Sequence, residues 1–150
     1  MAATDDAYAC PVPIPVPDDE RAILRRLLAG ERVAVVGLSD DPGRPSHGVA
    51  MYLKSIGKTV LPVNPNHAQI MGVRCYASLA DVPGPIDVVD VFRRPEHCAR
   101  VVRDAIDVGA KGVWLQSGII SPEARRLAVM AKLDYVEDRC MMVEHMRAER

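Results

Sequence analysis

With 150 residues, 49% of them hydrophobic and 26% charged, the chain has the composition expected of one soluble globular domain rather than a disordered or fibrous one. A formal net charge of −1 excludes the global basic field behind nonspecific nucleic-acid binding, and no apolar run reaches the roughly 20 residues that span a bilayer. Aromatics are scarce at 4%, so the core must come from Val, Leu, Ile, Ala and Met, which suits a sheet covered by helices.

Cys10 to Pro17 read C-P-V-P-I-P-V-P. Prolines at every second position remove backbone donors and favour an extended conformation, so residues 1–17 are expected to form a tail or surface strap, with a Pro-rich ligand for a partner's aromatic groove as the alternative. This acidic, Pro-rich start lacks the basic and apolar regions of a signal peptide. Cys10, Cys75, Cys98 and Cys140 are widely spaced with no C-x-x-C pair, which points away from a zinc or dithiol motif and toward reduced thiols in a cytoplasmic protein.

Residues 18–150 read as one domain. Asp18, Asp19 and Glu20 form an acidic first turn ahead of Ile23, Leu24, Leu27 and Leu28, spaced for one helix face that Gly30 ends. Arg32 to Val36 is a β-branched strand, Gly37 to Pro45 a turn-rich loop, and Ser46 the expected N-cap of a helix that Gly57 terminates. Thr59 to Val63 is the second strand, with Pro62 confined to its end or to an irregularity. A brief strand near Val73 to Tyr76 and one helical turn at Ser78 to Asp81 follow. Ile86 to Phe92 reads as a strand, Pro95 to Val108 as a helix closed by Gly109, and Lys111 to Leu115 as a strand. Ser121-Pro122-Glu123 opens a further helix, Asp134 to Val136 is a short strand, and a terminal helix begins near Met141.

This β-α alternation predicts an α/β, Rossmann-like, doubly wound parallel sheet of about five strands with helices on both faces. Ligands of such sheets bind beyond the C-terminal strand ends. Collected there are Gly37, Leu38 and Ser39 after the first strand, Asn64 and Pro65 after the second, Phe92, Arg93 and Arg94 after the third, and Gln116, Ser117 and Gly118 after the fourth. Gly37 permits close backbone approach, the helix start at Ser46 aims N–H groups at an anion, and Arg44 adds positive charge; together they read as a pyrophosphate site. The nicotinamide-dinucleotide fingerprint needs G-x-G-x-x-G and an acid about twenty residues on, whereas the chain has G-L-S-D-D-P and Asn64. Without a carboxylate to repel a ribose phosphate, the site is compatible with a phosphorylated adenosine such as that of coenzyme A or NADP.

Several ordered segments, V-V-G-L-S at Val35 to Ser39, R-P-S at Arg44 to Ser46, P-V-N-P at Pro62 to Pro65, D-V-F-R-R-P at Asp90 to Pro95, W-L-Q-S-G at Trp114 to Gly118 and D-R-C at Asp138 to Cys140, resemble the small CoA-binding proteins. That family is similar in fold to the nucleotide-binding domain of succinyl-CoA synthetase alpha subunits, and the resemblance runs from about Asp18 to His145. It implies a bound coenzyme A, or acyl-CoA, whose ADP part crosses the strand ends. The Gly37 to Ser39 turn and the helix start at Pro45 and Ser46 would lie near the phosphates, Val63, Asn64 and Pro65 would flank the adenosine, and Phe92 and Arg93 would contact the adenine or pantetheine side. With Gln116, these complete the expected cofactor-binding set. The chain departs from the family where Asn66 and His67 follow the Asn-Pro, a place at which many relatives carry a basic residue; this weakens binding or shifts charge compensation to Arg44, Arg74 or His67.

The synthetase resemblance also implies a ligase activity, but that chemistry needs a second domain with a phosphorylated His and a partner subunit. His47, His67, His97 and His145 show no metalloprotease or triad pattern, and no metal ligands are expected. Cys140 beside Arg139 is a candidate reactive thiol or a near-core residue. The expectation is therefore a non-catalytic carrier, sensor or accessory module for a small nucleotide ligand. The alternatives are a nicotinamide-dependent oxidoreductase and a protein-interaction subunit with a vestigial crevice.

Overall fold

The computed structural model describes residues 17–149, so the Pro-rich strap expected over residues 1–17 lies outside the described residues except at Pro17. In chain order the elements are α1 Pro17–Ala29, β1 Arg32–Val36, α2 Pro45–Ser55, β2 Thr59–Val63, β3 Gln69–Ile70, β4 Val73–Arg74, a 3-10 turn Leu79–Asp81, β5 Val88–Val91, α3 Pro95–Asp107, β6 Gly112–Leu115, α4 Pro122–Met130, β7 Asp134–Val136 and α5 Met141–Ala148.

Five strands form one parallel sheet in the order β2-β1-β5-β6-β7, the doubly wound arrangement expected, and β3 and β4 form a separate antiparallel pair. Both faces of the sheet are dry, which is why its strands read as continuous apolar runs. Along β1, Ala34 and Val36 point into a core shared with α3 and α4, while Val33 and Val35 point into a second core with α1, α2 and α5. Trp114 is fully buried in the second core, and its indole N–H donates to Arg139 O at 2.7 Å. A large ring is enclosed there without an orphaned donor.

Two details follow from local chemistry. Pro62 lies next to last in β2, an edge strand, where its missing N–H takes no bond from β1's ladder; its carbonyl accepts from Tyr76 N at 2.9 Å. Ser121 caps α4 as expected, its hydroxyl accepting from Ala124 N at 3.1 Å. The expected cap at Ser46 is corrected. Arg44 is the N-cap of α2 and makes no side-chain cap bond, Pro45 takes the first turn, and Ser46 lies inside the helix. The pre-set φ of proline fixes the start two residues earlier, with the cap at Arg44 instead of Ser46. Ser46 instead accepts a bond from Ser39 N at 3.0 Å, folding the β1–α2 loop back on its helix.

Sheet order places the site. α2 leaves β1 toward one face and α3 leaves β5 toward the other, so the connections after these adjacent strands diverge and open a crevice at their C-terminal ends.

Candidate functional site

The crevice holds two cavities that share Gly37, Phe92 and Arg93. The first, about 450 Å³, lies between the ends of β1 and β2 and helix α3; Val63, Asn64, Pro65, Asn66 and Ser78 form one wall and His97, Arg100, Val101 and Asp104 the other. The second, about 400 Å³, is lined by Ser39, Arg44, Pro45, Ser46, Arg94, Pro95 and Ile119 with the three shared residues.

Gly37 is the hinge of this arrangement. Its φ is +87°, its N–H donates to Val63 O at 2.9 Å, and a Cβ placed on it would stand 2.5 Å from Phe92 O. Only glycine fits a left-handed residue pressed against the backbone of the neighbouring strand's end. Asn64 fixes the opposite lip. Its Nδ2 donates to Leu38 O at 3.0 Å and its Oδ1 accepts from Asn66 N at 2.9 Å, so one side chain ties the loops after β1 and β2.

The second cavity is strongly electropositive in construction. Two helices begin at it, each with Arg as N-cap and Pro in the first turn: Arg44-Pro45 for α2 and Arg94-Pro95 for α3. The first turn of α2 carries no acid, while Glu96 stands in that of α3. Two helix starts and the residues Arg44, Arg93 and Arg94 therefore line one space, and helix N-termini and guanidiniums are groups that favour anions. Arg44 Nε lies 4.0 Å from Asp41 Oδ2, an exposed and loose pair that leaves its charge largely uncommitted.

Of the residues expected at the ligand, Gly37, Ser39, Arg44, Pro45, Ser46, Val63, Asn64, Pro65, Phe92 and Arg93 line one cavity or both. Leu38 and Gln116 line neither. The Leu38 side chain is fully buried in the core with α2. Gln116, 3% exposed, donates from Nε2 to Asp90 Oδ1 at 2.5 Å and accepts from Met141 N at 3.3 Å. It bridges β5 to the start of α5 beneath the crevice floor. Asp90 is fully buried, and its Oδ2 has no hydrogen-bond partner among the described residues. Burial raises its pKa to about 7, against a smaller lowering by the Gln116 bond.

His97, Arg100, Asp104, Ser78 and Ile119 were not expected at the site. For α3 the signal lay in helical spacing, since positions 97, 100, 101 and 104 share one face. Cys140, the candidate thiol, is the N-cap of α5 and lines neither cavity, while its neighbour Arg139 is paired with Glu20 at 3.2 Å and Glu144 at 3.4 Å. Cys98 is buried, and desolvation pushes its thiol up to about 11 despite the nearby Arg93. Among the described residues, no group of three or more His, Cys, Asp or Glu is placed to hold a metal ion, and no helix is long and apolar enough to cross a membrane.

A parallel doubly wound sheet with a crevice at its switch point defines the class of Rossmann-like α/β domains. Residues 31–146 match the CoA binding domain family, and the chain belongs to that family. It is 37% identical over 125 residues to the YneT protein of Bacillus subtilis, covering 83% of this chain and 90% of that one. A hypothetical protein from Pyrococcus horikoshii superposes with a TM-score of 0.83 at 39% identity, covering 93% of this chain and 96% of that one. The ADP-forming acetate–CoA ligase II of Archaeoglobus fulgidus is 30% identical over 105 residues, which cover 69% of this chain and 16% of the ligase. The chain thus spans a small part of that enzyme.

Proposed function

We propose that this chain is a coenzyme A-binding module, a non-catalytic carrier, sensor or accessory unit that holds the ADP part of coenzyme A or an acyl-CoA across its strand ends. The observation that carries the reading is the convergence of the two Arg-Pro helix starts on the second cavity, joined through Gly37, Phe92 and Arg93 to a second space beside Asn64. Paired phosphates would sit at the helix starts, where Arg44, Arg93 and Arg94 surround them with cationic donors. Adenosine would occupy the first cavity between Val63-Asn64-Pro65 and α3, with Phe92 at the boundary offering its ring. The pantetheine arm would leave past Ser46 and Ile119. Leu38 contributes through its carbonyl, held by Asn64, and Gln116 supports the crevice from below through Met141.

Membership of the CoA binding domain family supports the ligand class, and the neutral, fully engaged Asn64 where a dinucleotide site would present an acid supports coenzyme A over NAD. Isothermal titration of ligand-stripped protein with coenzyme A, NAD and NADP at one salt concentration tests the reading. Selective binding of coenzyme A is expected. Preference for NADP would turn the assignment toward an oxidoreductase, and no binding to any of the three would leave a protein partner as the reason for the crevice.

A further inference from the structure

We infer that Arg100 on α3 recognises a phosphate on the adenosine ribose, making this residue the determinant that separates coenzyme A from its 3′-dephospho form. The inference rests on the coenzyme A reading and adds to it a residue from a helix face.

The adenosine cavity needs a cation if its occupant carries a ribose phosphate, and the loop cations are committed elsewhere. His67 Nδ1 lies 3.7 Å from Asp40 Oδ2, and the Arg74 guanidinium stacks over the Tyr76 ring at 5.2 Å; neither residue lines the cavity. Arg44 lines the second cavity at a helix start. Asn64 is neutral, and both ends of its amide are used between loops. On the facing wall, α3 presents His97, Arg100 and Asp104 along one stripe above the buried Val101. Arg93 lines both cavities, and in the coenzyme A reading it serves the paired phosphates. Arg100 is the guanidinium that remains.

Its surroundings fit that role. The side chain is 80% exposed, and its Nε stands 4.0 Å from Asp104 Oδ1, too long for a hydrogen bond. Asp104 therefore leaves the guanidinium donors unspent. Ser78 and Asn66, across the cavity, add neutral polar groups that a phosphate oxygen tolerates. A planar, solvent-exposed guanidinium on the helix that lines the cavity can offer two donors to one phosphate.

The test is titration of the unaltered protein and of Arg100→Ala with coenzyme A and with 3′-dephospho-coenzyme A at one salt concentration. The expected result is a preference of the unaltered protein for coenzyme A and, in the variant, a loss of about tenfold or more for coenzyme A with unchanged affinity for the dephospho form. Because the side chain is exposed, the variant is expected to keep its thermal midpoint, and Arg100→Lys should restore part of the preference. Equal weakening of both ligands, or equal affinity of the unaltered protein for both, would overturn the inference while leaving the coenzyme A reading intact. Failure of the unaltered protein to bind either ligand would overturn that reading itself, and the assignment of Arg100 with it.

Discussion

Gln116 and Asp90 meet inside the sheet. The amide Nε2 donates to one carboxyl oxygen at 2.5 Å while the other oxygen is left without a partner among the described residues. The pair exists because Asp90 lies opposite Trp114 in the β5–β6 register, which brings Gln116, two residues on, to the same face.

A buried acid held in this way makes stability depend on pH. In the folded chain Asp90 titrates near 7, above its ordinary value of 3.8, because burial disfavours the anion. Between those values the folded state holds the proton and the unfolded state has lost it, so the Asp90 contribution falls as pH rises from about 4 through 7 and then levels off. Asp90→Asn cannot titrate. It should show a flatter profile and exceed the unaltered protein by on the order of 2 kcal/mol at pH 8, with the gain fading toward pH 4. Urea unfolding across that range measures it, and parallel profiles for the two proteins would refute it.

Gly37→Ala places a methyl against Phe92 O in a residue with φ +87°. Both the left-handed backbone and the close approach oppose it, so a loss of about 1 to 3 kcal/mol is expected. Because relief requires the β5 end to move, coenzyme A affinity should fall as well. Denaturant midpoints and titration of the same sample check both parts.

Arg93→Ala removes a guanidinium common to both cavities. Coenzyme A binding should weaken by about 1.5 to 3 kcal/mol, and dephospho-coenzyme A by the same amount, since the paired phosphates are present in each. An unchanged affinity by calorimetry would remove Arg93 from the site.

Asn64→Asp deletes the donor to Leu38 O and sets a carboxylate against that carbonyl. A destabilisation of about 1 to 2 kcal/mol is expected, together with weaker binding of phosphorylated ligands than of adenosine alone. Thermal unfolding and competition titration separate the two effects.

Most of this architecture was legible in the sequence because both faces of the sheet are buried: an apolar run such as Val33 to Val36 has one reading when helical segments flank it. The small hairpin was half hidden. β3 and β4 hold two residues each, and the turn between them uses Met71 and Gly72, both with positive φ, where methionine gives none of the usual Asn or Asp signal. Strand-end reasoning found the backbone lips of the crevice, since those positions follow directly from the alternation. It overlooked His97 and Arg100 because they lie in the first and second turns of α3, where the helix face and not the strand end decides what lines the cavity. It expected Gln116 at the ligand because a polar residue after a strand reads as exposed; the buried Asp90 that claims it looks, in the sequence, like one more residue in an apolar run.

Gly37, Phe92 and Arg93 line both cavities, and this sharing bears on affinity. A molecule that fills both is, energetically, two fragments joined across Gly37, and the second contact forms at the high local concentration set by the first. Fragments filling one cavity alone would each bind weakly, while the linked whole gains more than either half reveals. The length and stiffness of the bridge then discriminate among ligands as effectively as any side chain in the walls.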